Sequence, residues 1–222
     1  MNNLKLLIKF PTRSRPEKFF SVLEKYRTFQ ATDNVQYVVS CDIDDTTMNN
    51  KNVINKLKTY KDLHFYFSEN SSKVQACNAN LNNINFDIVL LASDDMIPVV
   101  YGYDVYIKKY MESLYPDTDG VLWFNDGFQG KNLNTLSILG KKYYDRFGYI
   151  YNPEYKSLYC DQEFTQVSLM LKKTTYFDTC IIKHEQYSII NKDPDELYIK
   201  NDALQSIDLE VYKKRASCNF SL

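Results

Sequence analysis

The sequence lacks most of the features that would assign a protein to a membrane, secreted or nucleic-acid-binding class. No apolar run approaches the roughly 20 residues that span a bilayer, and residues 1–10 are too short and too charged to be a signal peptide. The 27 basic and 28 acidic side chains leave a net charge of -1, which argues against a broad nucleic-acid-binding surface. We therefore expect a soluble, cytoplasmic protein with no membrane span.

Cysteine pairs, repeats and linkers are missing as well. The five cysteines are odd in number, widely separated and without a Cys-x-x-Cys pair, so they indicate neither a disulfide framework nor a zinc site. No internal repeat or low-complexity linker divides the chain. Its 222 residues suffice for one large domain with a sizeable core.

Apolar runs and helical patterns alternate along the first 95 residues, as expected of a parallel α/β sheet. We predict strands at 4–10, 35–41, 63–67 and 86–93. We predict helices from Pro16 onward and at 51–60 and 73–81. Beyond Pro98 we predict helices at 102–114 and 162–171, strands at 120–125, 136–139 and 179–183, and a helical tail from 195. The basic cluster Lys213–Arg215 in this tail is interpreted as a solvated helix end.

The predicted strand at 86–93 runs directly into two adjacent carboxylates, Asp94 and Asp95. Ligands of parallel sheets bind beyond the carboxyl ends of the strands. Carboxylates there suit Mg²⁺ or Mn²⁺, which share the rest of their coordination shell with substrate phosphates. The alternative is an Asx cap on the following turn. The pair therefore indicates either a metal site for a nucleotide-linked substrate or a structural cap.

Five short motifs occur in a definite order, namely Phe10–Glu17, Val38–Asp45, Ala76–Asn80, Ser93–Asp95 and Phe147–Glu163. In this order the chain resembles the inverting, family-2-like nucleotide-sugar glycosyltransferases of the A-type (GT-A) fold, from Ile8 to about His184. The resemblance implies an α/β fold with a Rossmann-like, mostly parallel sheet flanked by helices and a smaller C-terminal acceptor-side region. It also implies a single domain over 1–222, with a nucleotide-sugar-binding half in 1–98 and an acceptor and catalytic half in 99–222.

Three positions depart from the family pattern. Cys77 stands where the family has an Arg that often contacts the base or diphosphate, and Asn80 stands where it has a Gly. Ser93 replaces the first acid of the family's DxD-type metal motif. A thiol cannot substitute for a fixed cation, so we expect Lys73, one helical turn before Cys77, to supply the missing charge.

The resemblance implies roles for the candidate site residues. A divalent cofactor, Mn²⁺ or Mg²⁺, is expected on Asp95 with Asp94 and His184. Because an inverting transfer is one in-line displacement, a single base suffices; Asp161 is expected in that role, with Glu163 as the alternative. Both acids could instead be first-turn residues favoured by the helix dipole. The expected substrate-binding residues are Pro11, Thr12, Arg13, Arg15, Asp42, Lys73, Asn78, Asp94, Asn125 and Asp126.

The expected function is therefore an inverting, metal-dependent transfer of a hexosyl or pentosyl group from a nucleotide diphosphate donor, a UDP-sugar, to a hydroxyl acceptor. The acceptor is left unidentified: it could be a saccharide, or hydroxymethylated DNA if a virus encodes the protein and it acts in the host cytoplasm. One rival is a sugar-phosphate nucleotidyltransferase, which should carry a glycine-rich phosphate loop, whereas Pro11–Arg15 contains no glycine. The other rival is a catalytically silent nucleotide-sugar-binding or scaffold protein.

Overall fold

A computed structural model describes residues 4–185 and 202–222 of the chain, together with Glu196 and Ile199. Within these residues a central sheet has seven strands in the order β3-β2-β1-β4-β7-β6-β8, and β5 and β9 form a second, two-stranded sheet. The strands are β1 (Leu6–Thr12), β2 (Val35–Asp42), β3 (Leu63–Ser68), β4 (Ile88–Leu91), β5 (Met96–Pro98), β6 (Val121–Phe124), β7 (Ile138–Gly140), β8 (Thr174–Phe177) and β9 (Ile182–His184).

The first four strands of the chain pair in parallel, β1 with both β2 and β4, and β2 with β3. Strand β7 is antiparallel to β4 and β6, and β8 is parallel to β6. The predicted mostly parallel α/β sheet is therefore confirmed. Because β1 is central and covered on both faces, its side chains from Leu6 to Phe10 are all buried.

Helices flank both faces of the sheet. They are α1 (Pro16–Phe29), α2 (Lys51–Leu57), α3 (Lys73–Asn78), α4 (Tyr103–Leu114), α5 (Lys141–Phe147), α6 (Cys160–Met170), α7 (Gln205–Ser217) and a short 3-10 turn (Asn219–Ser221). Local chemistry explains several starts: Pro16 occupies the first turn of α1. The side chain of Asn50 accepts from two N–H groups of α2, and that of Ser72 accepts from the Gln75 N–H in α3.

Two apolar cores lie on the two faces of the sheet. On one face Phe10 meets Phe19 and Tyr26 edge to face, with ring centroids 5.7 and 5.2 Å apart. On the other face Leu7 belongs to the cluster that includes Phe164 of α6. Burying a side chain of this size contributes about 1.5–3 kcal/mol. The sheet is thus a rigid platform whose loop ends are positioned by packing on both sides.

The second half of the chain departs most from prediction. The strand β8 was not predicted, because its half-buried sequence Thr-Thr-Tyr-Phe lacks a strong apolar run. The last strand begins later than expected and contains His184, instead of ending before it. The predicted tail helix is described only from Gln205; Asp195, where we expected it to begin, lies outside the described residues.

Two further predictions concern the exposure of the basic cluster Lys213–Arg215 and the absence of a disulfide framework. Arg215 is buried, so the interpretation of the basic cluster as a solvated helix end is wrong for this residue, whereas Lys213 and Lys214 are exposed. All five cysteines lie in the described part of the chain, and each is a free thiol. No helix among the described residues is long and apolar enough to cross a bilayer.

Candidate active site

Most of the predicted site residues meet at one edge of the sheet. Because β1, β2 and β4 are parallel, their carboxyl ends lie together. Pro11 and Thr12 end β1 in register with Ser40 and Cys41 of β2. Asp42 ends β2. The turn between β4 and β5 carries Asp94 and Asp95, both nearly buried.

An arginine clamp forms the β2 side of this edge. Arg13 Nη1 donates to Asp42 Oδ2 at 2.6 Å and to Asp44 Oδ1 at 2.7 Å, and its Nη2 donates to Asp44 Oδ2 at 3.0 Å. The second oxygen of Asp42 accepts from the Asn70 amide at 2.8 Å. Hydrogen bonds from the guanidinium to Asp44 and Asp42 raise the pKa of Arg13. These charge-assisted hydrogen bonds hold the turn after β1 against the turn after β2.

A second ion pair ties the turn after β1 to the turn after β4. Arg15 Nη1 lies 3.0 Å from Asp94 Oδ1, and Lys18 Nζ lies 3.5 Å from the same oxygen. Burial raises the pKa of Asp94 above its ordinary value, against the lowering effect of Arg15 and Lys18. Asp94 therefore faces two cations from the start of α1.

His184 lies between two carboxylates. The antiparallel pairing of β5 with β9 sets Met96 opposite His184, which brings the imidazole beside Asp95. His184 Nε2 is 3.7 Å from Asp95 Oδ2, and its Nδ1 is 3.6 Å from Asp126 Oδ2. Backbone hydrogen bonds fix these segments next to each other: the His184 N–H donates to the Asp126 carbonyl, and the Glu185 N–H donates to the Asp95 carbonyl.

Asp126 also organises the loop after β6. Its Oδ1 accepts from the backbone N–H groups of residues 128, 129 and 130, and its Oδ2 accepts from Thr135 Oγ1 at 2.6 Å. Burial alone would raise the pKa of Asp126, but His184, Thr135 and the loop N–H groups hold it well below its usual range. For the imidazole of His184, burial acts in the opposite direction and lowers the pKa. Asp126 and Asp95 outweigh burial and raise the pKa of His184 to about 9.

These contacts allow a test of the predicted metal site. In the described ranges no three His, Cys, Asp or Glu side chains are grouped as a complete site. Two ligands that each lie about 2.1 Å from one ion are about 3 to 4 Å apart, depending on their angle. The 3.7 Å between Asp95 Oδ2 and His184 Nε2 is too long for a hydrogen bond but suits two ligands of one ion. The other imidazole nitrogen, Nδ1, lies 3.6 Å from Asp126 Oδ2, so a carboxylate faces it without a hydrogen bond. The residues therefore fit a two-ligand site that a substrate phosphate would complete.

Asp161 lies at the start of α6 and is half-buried. Burial raises the pKa of its carboxyl group, whereas the charges of Lys73 and His184 act to lower it. These three side chains, from α6, α3 and β9, are thus close enough to interact electrostatically. A raised pKa brings a carboxylate nearer to the range in which it can accept a proton effectively.

Other predicted residues are held in structural contacts. Glu163 accepts from Arg215 Nε at 2.7 Å and from its Nη2 at 2.9 Å, and it accepts from Tyr155 Oη at 2.8 Å. Two residues apart on a helix means about 200° apart around its axis, so Glu163 and Asp161 face different sides. Asn78 uses its amide on the backbone of residues 150 and 151. Asn125 donates to Asp178 Oδ1 at 3.3 Å and accepts from the Gly127 N–H.

The departures from the family pattern have structural counterparts. Asn80 has a φ of 65°, in the left-handed region that favours glycine and that asparagine tolerates. Its Oδ1 accepts from Ser40 Oγ at 2.6 Å, and Ser40 in turn accepts from the fully buried Lys9. Cys77 is buried near Lys9, close enough to influence the pKa of that lysine. Burial raises the pKa of the Cys77 thiol, whereas the charges of Lys73 and Lys9 act to lower it, so both lysines lie within electrostatic range of this thiol.

Sequence interpretation missed several buried charged groups, among them Lys9, Asp208 and Arg215. Lys9 was visible as the one charged residue in the apolar run of β1. Asp208 and Arg215 are seven residues apart, which places them on one face of α7. That spacing was a usable signal for a helix that docks through charged side chains.

Comparisons with known proteins support the fold. The sequence matches no protein-family model and no curated protein. The structure resembles the mannosyltransferase PcManGT from Pyrobaculum calidifontis in complex with GDP-Man and Mn²⁺, with a TM-score of 0.64 and 15% identity over 88% of this chain and 59% of that one. It also resembles S. aureus TarS 1-349 in complex with UDP, with a TM-score of 0.64 and 16% identity over 99% of this chain and 72% of that one.

A further structure of TarS 1-349, in complex with UDP-GlcNAc, matches 87% of this chain with a TM-score of 0.64 and 15% identity. The chain thus has the α/β fold of A-type glycosyltransferases, as the resemblance implied. It spans less than two thirds of the length of PcManGT, 59%.

Proposed function

We propose that the chain is a nucleotide-sugar glycosyltransferase with residues 1–98 as the donor half of one domain and 99–222 as its acceptor and catalytic half. The observation that carries the proposal is the group Asp95, His184 and Asp126 at the carboxyl edge of a parallel sheet, with Asp161 within electrostatic range of His184. A nucleotidyltransferase or a silent binding protein has no comparable observation in its favour.

The donor we propose is a UDP-sugar. Structures of TarS with UDP and UDP-GlcNAc share the fold, and PcManGT with GDP-Man does so too. In this chain the clamp of Arg13 on Asp42 and Asp44 would border the base and ribose. Arg15 and Lys18, which converge on Asp94, would face the diphosphate.

The proposed reaction is a single in-line displacement. The acceptor oxygen attacks the anomeric carbon, the bond from that carbon to the diphosphate breaks, and the acceptor proton passes to the Asp161 carboxylate. Inversion follows because attack and departure occur on opposite faces. Asp95 and His184 would hold a divalent ion, which would supply positive charge to the leaving diphosphate. We propose Mn²⁺ ahead of Mg²⁺, because Mg²⁺ takes almost only oxygen ligands.

A saccharide is the acceptor we propose. Phe128, in the loop that Asp126 organises, is 41% exposed, and its ring meets the His184 imidazole edge to face at 6.0 Å. An exposed aromatic ring at the mouth of a site suits the apolar face of a sugar. The near-neutral charge of the chain gives a DNA acceptor no comparable support.

A thermal-shift screen tests the donor and the metal together. UDP, GDP, UDP-GlcNAc and GDP-Man would each be added with Mn²⁺, with Mg²⁺ or with a chelator. A ligand at 100 times its Kd adds about 2.7 kcal/mol, which in a chain of this size raises Tm by about 5–10 °C. We expect that rise for UDP and UDP-GlcNAc with Mn²⁺, and less with chelator.

Three variants assign the metal-binding and catalytic roles to individual residues. Asp95→Asn should lose the part of the shift that depends on Mn²⁺, whereas Asp145→Asn, an exposed carboxylate on α5, should retain it. Asp161→Asn should keep the shift but stop release of UDP from UDP-GlcNAc, with water as the acceptor. If no nucleotide raises Tm, or if Asp95→Asn responds to Mn²⁺ as the natural chain does, the proposed function is wrong.

A further inference from the structure

The segment before α6 helps to determine where Asp161, the base of the proposed reaction, lies. Asp161 is the second residue of α6, and the N-cap residue that precedes this helix, Tyr159, has a φ of 60°. A bulky residue in the left-handed region persists only where its surroundings enforce it. The enforcing contacts therefore decide where the Asp161 carboxylate lies.

Asp208 of α7 supplies the contacts on one side. Its side chain is fully buried. Its Oδ1 accepts from the Lys156 N–H at 2.8 Å, and its Oδ2 accepts from the N–H groups of Ser157 at 2.7 Å and Leu158 at 2.8 Å. Three consecutive backbone donors thus converge on one carboxylate, in hydrogen bonds that its charge strengthens.

Arg215 supplies the contacts on the other side. It lies two helical turns after Asp208 on the same face of α7. Its guanidinium forks onto both oxygens of Glu163 and also donates to Glu154 Oε1 at 2.7 Å. The helix α7 therefore forms hydrogen bonds with the chain on both sides of Asp161, at 156–158 before it and at Glu163 after it.

The segment 156–158 also contacts α3, the helix that carries Lys73. The Val74 N–H in α3 donates to the Lys156 carbonyl at 3.2 Å. A displacement of residues 156–158 would thus move Asp161 relative to both Lys73 and His184. A misplacement of about 1 Å in a catalytic group lowers the rate about 10²-fold.

We propose that Asp208 is a positioning residue for the general base Asp161, with Arg215 fixing the same base from the opposite side. This inference rests on the proposed function, because it takes Asp161 as the base. It adds that a helix outside the sheet, with no contact of its own to the reacting atoms, sets the catalytic rate.

The test uses the full chain and the release of UDP from UDP-GlcNAc with Mn²⁺. Asp208→Asn replaces one acceptor oxygen by a donor, so it should lower kcat 10- to 100-fold and leave KM within about twofold. Amide hydrogen exchange at 156–158 should accelerate in the same variant. Val211→Ala, which truncates an apolar contact of α7 with the core, is the matched control. It should lower Tm without changing kcat or exchange at 156–158.

Arg215→Lys is the second variant, because it keeps the charge but loses the fork. It should lower kcat with KM retained, and it carries the test if Asp208→Asn does not fold. Unchanged kcat in the folded variants, or an equal loss in Val211→Ala, would overturn the positioning role while Asp161→Asn remains inactive. If the natural chain releases no UDP, or Asp161→Asn releases it normally, the proposed function fails instead.

Discussion

Replacing Lys9 by methionine should stabilise the protein at neutral and acidic pH. Lys9 lies in the middle of the central strand β1, is fully buried, and donates to Ser40 Oγ. Burying an ammonium group among apolar side chains carries a large free-energy cost unless it is fully compensated. The variant Lys9→Met keeps the shape of the side chain nearly unchanged and removes the charge.

The size of the effect follows from the pKa of the amine. Burial lowers that pKa from 10.5 to about 7, and a shift of about 3.5 units corresponds to about 5 kcal/mol. The unfolded chain binds more protons than the folded one between pH 7 and 10.5, so the stability of the natural chain should rise with pH in that window. Below pH 7 the whole cost is present. Loss of the hydrogen bond to Ser40 offsets about 1 kcal/mol, so Lys9→Met should gain about 3–4 kcal/mol at pH 6.

Urea unfolding of both chains at pH 6, 7, 8 and 9 measures this gain. The difference between them should shrink toward high pH, with a slope that approaches about 1.4 kcal/mol per pH unit. Other titrating groups cancel in the difference. Lys5→Met, at a half-buried lysine just before β1, is the matched comparison variant. A pH-independent difference, or a natural chain more stable than Lys9→Met at pH 6, would refute the reasoning.

Three further predictions concern structural contacts. Asn78→Ala should lower the free energy of unfolding by about 2–3 kcal/mol, because buried backbone groups at 150 and 151 lose their partner; urea unfolding checks this, and an unchanged midpoint would contradict it. Glu163→Gln should cost about 3–5 kcal/mol by leaving Arg215 without its main counter-charge; its Tm is compared with that of Glu210→Gln, an exposed pair. A thiol reagent should modify exposed Cys218 first in the native protein. Thiols that are buried should react only after unfolding, namely Cys41, Cys77 and Cys160.

The parallel half of the fold was predictable because its signals are local. Pro16 begins α1, Ser72 caps α3, and apolar runs mark β1 to β4. Strand β8 escaped prediction because it lies at the edge of the sheet and its side chains are only half-buried. Patterns of burial are weak wherever a strand has little to bury.

The site was predictable in its residue types but not in its contacts. The sequence left Asp161 and Glu163 as alternative bases. The structure places Glu163 in an ion pair with Arg215, and Asp161 lies within electrostatic range of Lys73 and His184. Asp126 was expected to bind substrate; the structure shows it organising its own loop and facing His184. The catalytic role of Asp161 and the substrate-binding role of Asp126 stay predictions.

The sequence by itself determined the order of strands and helices from β1 to β4, the carboxylates after β4, and the mostly parallel sheet, because periodicity and capping depend on neighbouring residues. Only the tertiary structure decided which distant groups meet. The pairing of β5 with β9 brings His184 to Asp95 across 89 positions of the chain, and α7 brings Asp208 to 156–158. Such contacts depend on strand register and helix packing, which the composition of either segment alone does not specify.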